Sequence, residues 1–504
     1  MEVMLTALGM LLEPYTLTVM LIASVFGLFV GAMPGLTATM ATALLVPVTF
    51  FMAPVPAIAA IVAASAMAIF AGDIPGALLR IPGTPASAAY TDEAYAMTKK
   101  GEAEMALGCG VTCSVYGGLF GSAALMFAAP PLAEMALKFS SYEYFWLSML
   151  GLACAALVSP GSPTKGVISL LLGLLLATIG IDPMTGVTRF TGGYVQLLGG
   201  LSLVPVLVGM YAVAEIIRYA ITIDAPVSVP QRAVGNIFEG QARMMWKYRW
   251  PIMRGNVVGT LIGALPGAGA DVAAWISYAM AKKFSKEPEK FGTGHVEGIA
   301  EAGAANNSAL GGAYIPATVF GIPGDSITAI VIGVLYMKGM NPGPTIFIKN
   351  PELIYAVFLS FFLANILMLP LGWAAIKVSK QILSVPREVL MPIILMFCLV
   401  GSFAIDNSVF AVTIMLVMGV LGFLMEENGI PIAPSVLGLV LGPLIEQNFI
   451  TSMMKAEGHF LPFFERPIAG LLGVLTLAVW LAPPLLVLWQ RVGRPRLSSA
   501  ATRR

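Results

Sequence analysis

The chain has 504 residues, of which 58% are hydrophobic and only 11% charged, against roughly 25% charged in soluble domains. So much apolar surface cannot be hidden in a soluble fold, which leaves a polytopic membrane protein. The formal net charge of +1 gives no basic field for nucleic acid.

Each crossing takes about 20 apolar residues, so the chain is expected to be an all-α polytopic membrane protein with about 11–12 transmembrane helices. Met1 to Met10 is apolar without a basic flank. It reads as the start of a first membrane helix or as an interfacial one, and not as a cleavable signal. Apolar runs follow at 16–33, 36–52, 56–71, 105–128, 142–158, 165–180 and 197–217, and a polar stretch covers 218–254. Further runs lie at 255–265, 268–281, 302–320, 327–338, 352–376, 388–404, 408–425, 434–445 and 467–490. Those around 255–281, 302–338 and 434–445 are expected to be half-helices or re-entrant segments, tolerated in a membrane only where protein or water meets the break. Cys109, Cys113, Cys154 and Cys398 all stand in apolar runs and read as small buried hydrophobes, not as a disulfide framework or zinc site.

Orientation follows from Lys and Arg. Arg218, Arg232, Arg243, Lys247, Arg249 and Arg254 crowd the central polar stretch, and Arg491, Arg494, Arg496, Arg503 and Arg504 crowd the tail. Both are expected on the cytoplasmic side, with the N-terminus outside. The expected organisation is a first transmembrane repeat over 1–217 and a cytoplasmic connecting loop over 218–254. A second repeat with accessory helices over 255–490 and a basic cytoplasmic tail over 491–504 complete it. An outside start and an inside midpoint imply an odd number of crossings in the first half, as inverted repeats require.

The repeat is visible in the residues. Gly31-Ala32-Met33-Pro34-Gly35 matches Gly263-Ala264-Leu265-Pro266-Gly267, and Ile81-Pro82-Gly83-Thr84 through Ser87 resembles Ile322-Pro323-Gly324-Asp325 through Thr328. The first pair is offset by 232 residues and the second by 241, so order is kept and spacing nearly so. Gly/Pro interruptions at matching places in two halves of a membrane protein point to a transport site. Proline removes a backbone donor, glycine opens otherwise closed dihedrals, and the helix stops. The released N–H and C=O groups must then meet something polar. Half-helix N-termini suit a carboxylate, and the carbonyls of the preceding half suit a cation. The plainer reading is helix packing through small residues, for which Gly117 with Gly121 and Gly259 with Gly263 have the spacing.

Asp271 and Asp325 follow the second-half glycines, and Asn306-Asn307-Ser308 lies between them. An acid at membrane depth costs about 2.5–3.5 kcal/mol on insertion scales and normally has a functional partner. Arg80 reads either as a counter-charge for an anion or as a snorkelling interface residue, and Asp73 could be its partner at helical spacing. Lys99-Lys100 and Lys282-Lys283 read as solvated loop charges. Enzyme readings find no support: His295 and His459 belong to no HExxH, "GAGAD" is not GxGxxG, and no Walker A sequence is present.

The block from Gly263 to Pro344, with "GAMPGLTATMATALLVPVTF" and "IPGTPASAAYTDEAYAMTKKGEAEMALG" in the first half, resembles the large membrane subunit of tripartite tricarboxylate transporters, the TctA family. Asp73 and Arg80 depart from the small or neutral polar residues expected there. The resemblance implies a secondary transporter of the bacterial inner membrane, not an enzyme, without a cofactor. It implies a small membrane subunit (TctB-like) and a periplasmic solute-binding protein (TctC-like) as partners. Citrate-like tricarboxylates, dicarboxylates or other organic acids would be imported with sodium or protons, and a homodimer is left open. A stand-alone carrier without a receptor is the alternative, and a membrane-embedded enzyme the remoter one.

On that reading Gly35, Leu36 and Thr37 with Gly83, Thr84 and Ser87 form one wall of the substrate site. Gly267, Ala268, Gly269, Asn306, Asn307, Gly324, Ser326 and Thr328 form the other. Asp271, Asn306, Asn307 and Asp325 are the expected cation ligands, and Arg80 is the candidate counter-charge.

Overall fold

A computed structural model describes residues 2–158, 162–182, 185–221, 235–383 and 385–492. The short α1 (Glu2–Leu11) precedes α2 (Pro14–Ala32), α3 (Ala38–Thr49), α4 (Pro54–Ala71), α5 (Asp73–Leu79), α6 (Thr91–Lys99) and α7 (Ala103–Ala136). Next come α8 (Ser141–Val158), α9 (Pro163–Ala177), a small hairpin of β1 (Gly180–Ile181) and β2 (Thr188–Arg189), and α10 (Leu203–Val208). A π-helical turn at Gly209–Val213 leads into α11 (Ala214–Ile221). The second half holds α12 (Gln241–Lys247), α13 (Arg249–Gly263), α14 (Gly269–Phe284), α15 (Val296–Phe320), α16 (Ser326–Met337), α17 (Ile346–Lys349) and α18 (Pro351–Lys377). It closes with α19 (Ser379–Leu383), α20 (Arg387–Asp406), α21 (Val409–Glu427), α22 (Ile432–Lys455), α23 (Pro462–Glu465) and α24 (Pro467–Val492).

The protein is an all-α polytopic membrane protein. Among the described residues, eight helices are long and apolar enough to cross a membrane, against the expected 11–12, and five shorter apolar helices accompany them: Glu2–Leu11, Ala38–Thr49, Pro163–Ala177, Ser326–Met337 and Pro467–Leu481. The same packing order occurs in both halves. Helix α2 lies on α4 as α13 lies on α15, and α4 lies against α18 as α15 lies against α7. Glycines set these approaches. A Cβ on Gly27 or Gly31 would strike Ala64 or Ala68, and one on Gly259 or Gly263 would strike Ala305 or Ala309. These pairs are related by the offsets of 232 and 241 read from the breaks. Gly117 and Gly121 likewise let α7 close onto Ala304 and Ser308 of α15, so small-residue packing operates alongside the breaks.

Three expectations are corrected. The run 302–320 is no half-helix; it is most of α15, 25 residues long and buried along nearly its whole length. Its polar N-terminal turns hide the start, because Glu297 and Glu301 are buried and partnered: Ser285 Oγ donates to Glu297, and Arg254 binds Glu301. The run 434–445 is likewise the first half of a continuous 24-residue α22, in which Pro443 is accommodated. The stretch 218–254 is not loop throughout, since it holds the end of α11, all of α12 and the start of α13. Residues 222–234, with Arg232, and 493–504, with most of the basic tail, lie outside the described residues. Met1 aside, the N-terminal segment is a separate ten-residue helix. The four cysteines are free and at least partly buried.

Candidate functional site

Four breaks meet in the middle of the fold. After α2, Gly35 takes φ 86°, and Thr37 caps α3 by accepting the Met40 N–H at 3.1 Å. After α13, Gly267 takes φ 81°, and its N–H donates to the Gly324 carbonyl at 2.7 Å. Positive φ is cheap only for glycine, which explains the residue at both corners.

The other two breaks match at the level of single bonds. Helix α5 stops at Arg80 with φ 60°, and α15 stops at Gly321 with φ 69°. Ile81 N–H then reaches Pro75 O at 3.4 Å, and Ile322 N–H reaches Pro316 O at 3.2 Å. Thr84 and Ser87 exchange side-chain-to-backbone bonds at 3.1 Å each. Asp325 and Thr328 do the same at 2.8 Å each, a capping box at the start of α16. A Cβ on Gly83 would meet Gly72 Cα and Gly31 O; one on Gly324 would meet Ala313 Cα and Gly263 O. All of these partners are related by the two offsets.

Between the breaks lies a cavity of about 180 Å³. Its lining includes Thr37 and Thr39, Thr84 to Ala86, Gly267 to Val272, Asn306, Asp325 to Ile327, Tyr211 and Glu426. Helix α14 opens onto it with no side-chain cap, so its first N–H groups and positive dipole end face the cavity. The charged lining residues are Asp271, Asp325 and Glu426; no Lys, Arg or His is among them. Glu426 is bound by Arg218 from outside the lining. Asn306 donates through Nδ2 to the Tyr90 hydroxyl at 3.2 Å, and its Oδ1 has no partner among the described residues. The halves are stitched together here by Trp275 Nε1, which donates to Pro85 O at 3.2 Å.

The structure thus brings Thr37, Thr84, Gly267, Ala268, Gly269, Asp271, Asn306, Asp325 and Ser326 to one cavity. Gly35, Leu36, Gly83, Ser87, Gly324 and Thr328 stand behind it, turning the chain or capping the half-helices. Asn307 is buried one residue past the lining, and neither amide atom has a partner among the described residues. Arg80 does not reach the cavity: its Nε binds Asp92 at 2.8 Å with both side chains largely exposed. Asp73 is not its partner; it is buried and accepts from Tyr90. Tyr211 and Glu426 are lining residues that sequence reading missed. Tyr211 is carried inward by the π turn, a bulge without a sequence signature, and Glu426 closes an apolar run where an acid reads as the following loop. No group of three or more His, Cys, Asp or Glu suited to a resident metal occurs among the described residues.

A helical membrane protein whose two halves meet at matched helix breaks around a polar cavity has the architecture of a membrane transporter. The family model for the "Tripartite tricarboxylate transporter TctA family" matches residues 17–437, and the chain belongs to that family as the membrane component of a tripartite tricarboxylate transporter. It is similar to the "Uncharacterized 52.8 kDa protein in TAR-I ttuC' 3'region" of Agrobacterium vitis, at 34% identity over 467 residues, 93% of each chain. A second relative from that organism, the "Uncharacterized protein in TAR-II ttuC' 3'region", is 36% identical over 225 residues, 44% of this chain and 93% of its own. No solved structure matches the chain.

Proposed function

We propose that the cavity at the four breaks carries an organic carboxylate across the bacterial inner membrane together with a cation. In this reading a periplasmic solute-binding protein delivers a tricarboxylate or dicarboxylate, and a small membrane subunit completes the complex. The observation that carries the reading is the charge of the lining: Asp271 and Asp325 beside Glu426, which Arg218 already pairs, and no basic residue in the lining. An anion brought among carboxylates in a low-dielectric site is repelled unless positive charge travels with it. That is the physical ground for cation symport. The uncapped N-terminus of α14 and the hydroxyls of Thr37, Thr39, Thr84 and Ser326 suit the substrate carboxylates. Asp271 and Asp325 suit the positive partner. The N-terminus faces the periplasm and the 218–254 stretch the cytoplasm, by the distribution of basic residues.

The test is uptake of labelled citrate, then succinate and other acids, into proteoliposomes holding the chain and its small partner subunit. Sodium and proton gradients are imposed separately, with and without loaded binding protein. Accumulation that needs both a gradient and the binding protein is expected. Accumulation without the binding protein makes the chain a stand-alone carrier, and silence across the panel with folded protein sinks the carboxylate assignment.

A further inference from the structure

Asp73 is a buried acid of the first-half break region, and with Arg80 paired to Asp92 it is left without the partner its sequence position suggested. It starts α5, continuous with the span Pro54–Leu79, and is 6% exposed. One carboxylate oxygen accepts the Tyr90 hydroxyl at 2.6 Å. The other has no hydrogen-bond partner among the described residues and lies against Gly110 of α7, where a Cβ would stand 3.3 Å from it. The titratable groups facing it are Tyr90, from the turn before α6, and Cys109 of α7, whose Sγ lies 3.9 Å from that of Cys113. Among the described residues Asp73 has no ion-pair partner. An ionised carboxylate so placed in a membrane is costly, and it needs a positive partner from elsewhere.

The fold does not require an acid there. The offset of 241 places Tyr314 at the equivalent position of the second half, on α15, where it packs its ring edge-on against Phe361. The same offset relates Ser65 to Asn306. The two halves therefore differ at a connected set: Asp73, the Tyr90 hydroxyl that donates to it, and the Asn306 amide that donates to Tyr90. Asn306 lines the cavity. A chain of two donors, Asn306 and Tyr90, thus runs from the cavity wall to a buried acid with no counter-ion among the described residues.

We infer that Asp73 is the proton-carrying residue of this transporter, and that the cavity reads its charge through Tyr90 and Asn306. The inference rests on the symport reading above and adds to Asp271 and Asp325 a separate proton-carrying site outside the cavity lining. When Asp73 is ionised, it draws the Tyr90 O–H, and Tyr90 in turn holds the Asn306 N–H away from the substrate. A proton from the water-facing side forms an O–H bond on the unpartnered carboxylate oxygen and leaves a neutral acid. Tyr90 is then released, and the Asn306 N–H turns to a substrate carboxylate. On the opposite side that O–H bond breaks, the proton returns to water and Tyr90 donates again. Proton and substrate therefore bind each more tightly in the presence of the other, as linkage requires. With one unpartnered oxygen and no second anionic oxygen, the place suits a proton and not a dehydrated metal ion.

The experiment uses proteoliposomes with the full chain, its small subunit and the binding protein, membrane potential clamped at zero, and labelled citrate or succinate. Wild type is expected to accumulate the acid about tenfold per proton carried for one unit of acid-outside pH gradient. Asp73→Asn, which mimics the neutral acid, is expected to keep exchange of internal for external acid. Its exchange should have a flat pH profile, and its gradient-driven accumulation should fall to unity. Tyr90→Phe removes a donor that favours the charged carboxylate, so the wild-type pH profile is expected to move to higher pH. Accumulation that persists in Asp73→Asn overturns the inference. So does wild-type accumulation that follows sodium and ignores pH, or loss of exchange in folded Asp73→Asn, which would make the acid structural. Wild type that neither exchanges nor accumulates any acid instead fails the transport reading itself, and this inference with it.

Discussion

The N–H of Gly267 donates to the carbonyl of Gly324 at 2.7 Å, so two helix breaks of the second half are held together by backbone alone. Gly267 has φ 81°, and a Cβ there would lie 2.1 Å from Ala155 Cα. The left-handed conformation alone costs a non-glycine residue about 1–2 kcal/mol, and the clash adds displacement of α8. Gly339 has φ 70° with nothing near a Cβ, so Gly339→Ala meets the first cost only. Thermal unfolding in detergent is expected to show Gly339→Ala down by about 1–2 kcal/mol. Gly267→Ala should lose clearly more, and transport with it. Equal losses would mean that the approach to α8 is not tight.

The capping box at α16 separates structure from charge. Thr328→Val removes the hydroxyl that serves both Asp325 and its N–H, and a lost cap costs about 1 kcal/mol. Asp325→Asn keeps an acceptor for the Thr328 N–H and removes the charge. It is expected to match wild type in melting to within about 0.5 kcal/mol while gradient-driven uptake falls at least about tenfold. Unchanged uptake in Asp325→Asn would remove that residue from the ion-handling set.

How much of this was legible in the sequence depends on what each residue does locally. The offsets of 232 and 241 were readable because Pro-Gly breaks must use the same residue types wherever they occur, and the structure matches them bond for bond at Ile81 and Ile322. The small-residue pair Gly259 and Gly263 was readable by its spacing, and the structure adds its first-half counterpart, Gly27 and Gly31. Helix α15 was misread because its polar first turns look like loop until Arg254 and Ser285 are seen to satisfy Glu301 and Glu297. Tyr211, Glu426 and the pairing of Asp73 with Tyr90 were not legible, since each depends on which helix faces which. No local pattern encodes that.

Arg80 stands in the left-handed conformation where the second half has Gly321. An exposed pair such as Arg80 with Asp92 contributes about 0–1 kcal/mol, and relief of the strained φ returns a similar amount. Arg80→Gly is therefore expected to melt within about 1 kcal/mol of wild type and to transport within about twofold, or about 0.4 kcal/mol. A large loss of substrate affinity in Arg80→Gly would restore the counter-charge reading.

Glu93 ties the halves together away from the cavity. Fully buried on α6, it accepts backbone N–H groups from Gly292, from Gly294 at 2.7 Å and from His295 at 2.8 Å, and the Tyr278 hydroxyl at 2.8 Å. Its carboxylate organises the loop between α14 and α15 much as an anion organises a ring of amides. Glu93→Ala removes every acceptor at once, and each donor left unsatisfied costs about 1–3 kcal/mol. The loop can escape most of that cost by opening to water, so the expected effect is local. Trypsin should cut Glu93→Ala at the exposed Lys286 and Lys290 at least about tenfold faster than wild type, equivalent to about 1.4 kcal/mol of local opening. Glu93→Gln keeps one carbonyl oxygen and should fall between the two. Cleavage at the wild-type rate in Glu93→Ala would show that the loop is held by its own turns and by the packing of Phe291 and His295, and that the carboxylate is a passenger.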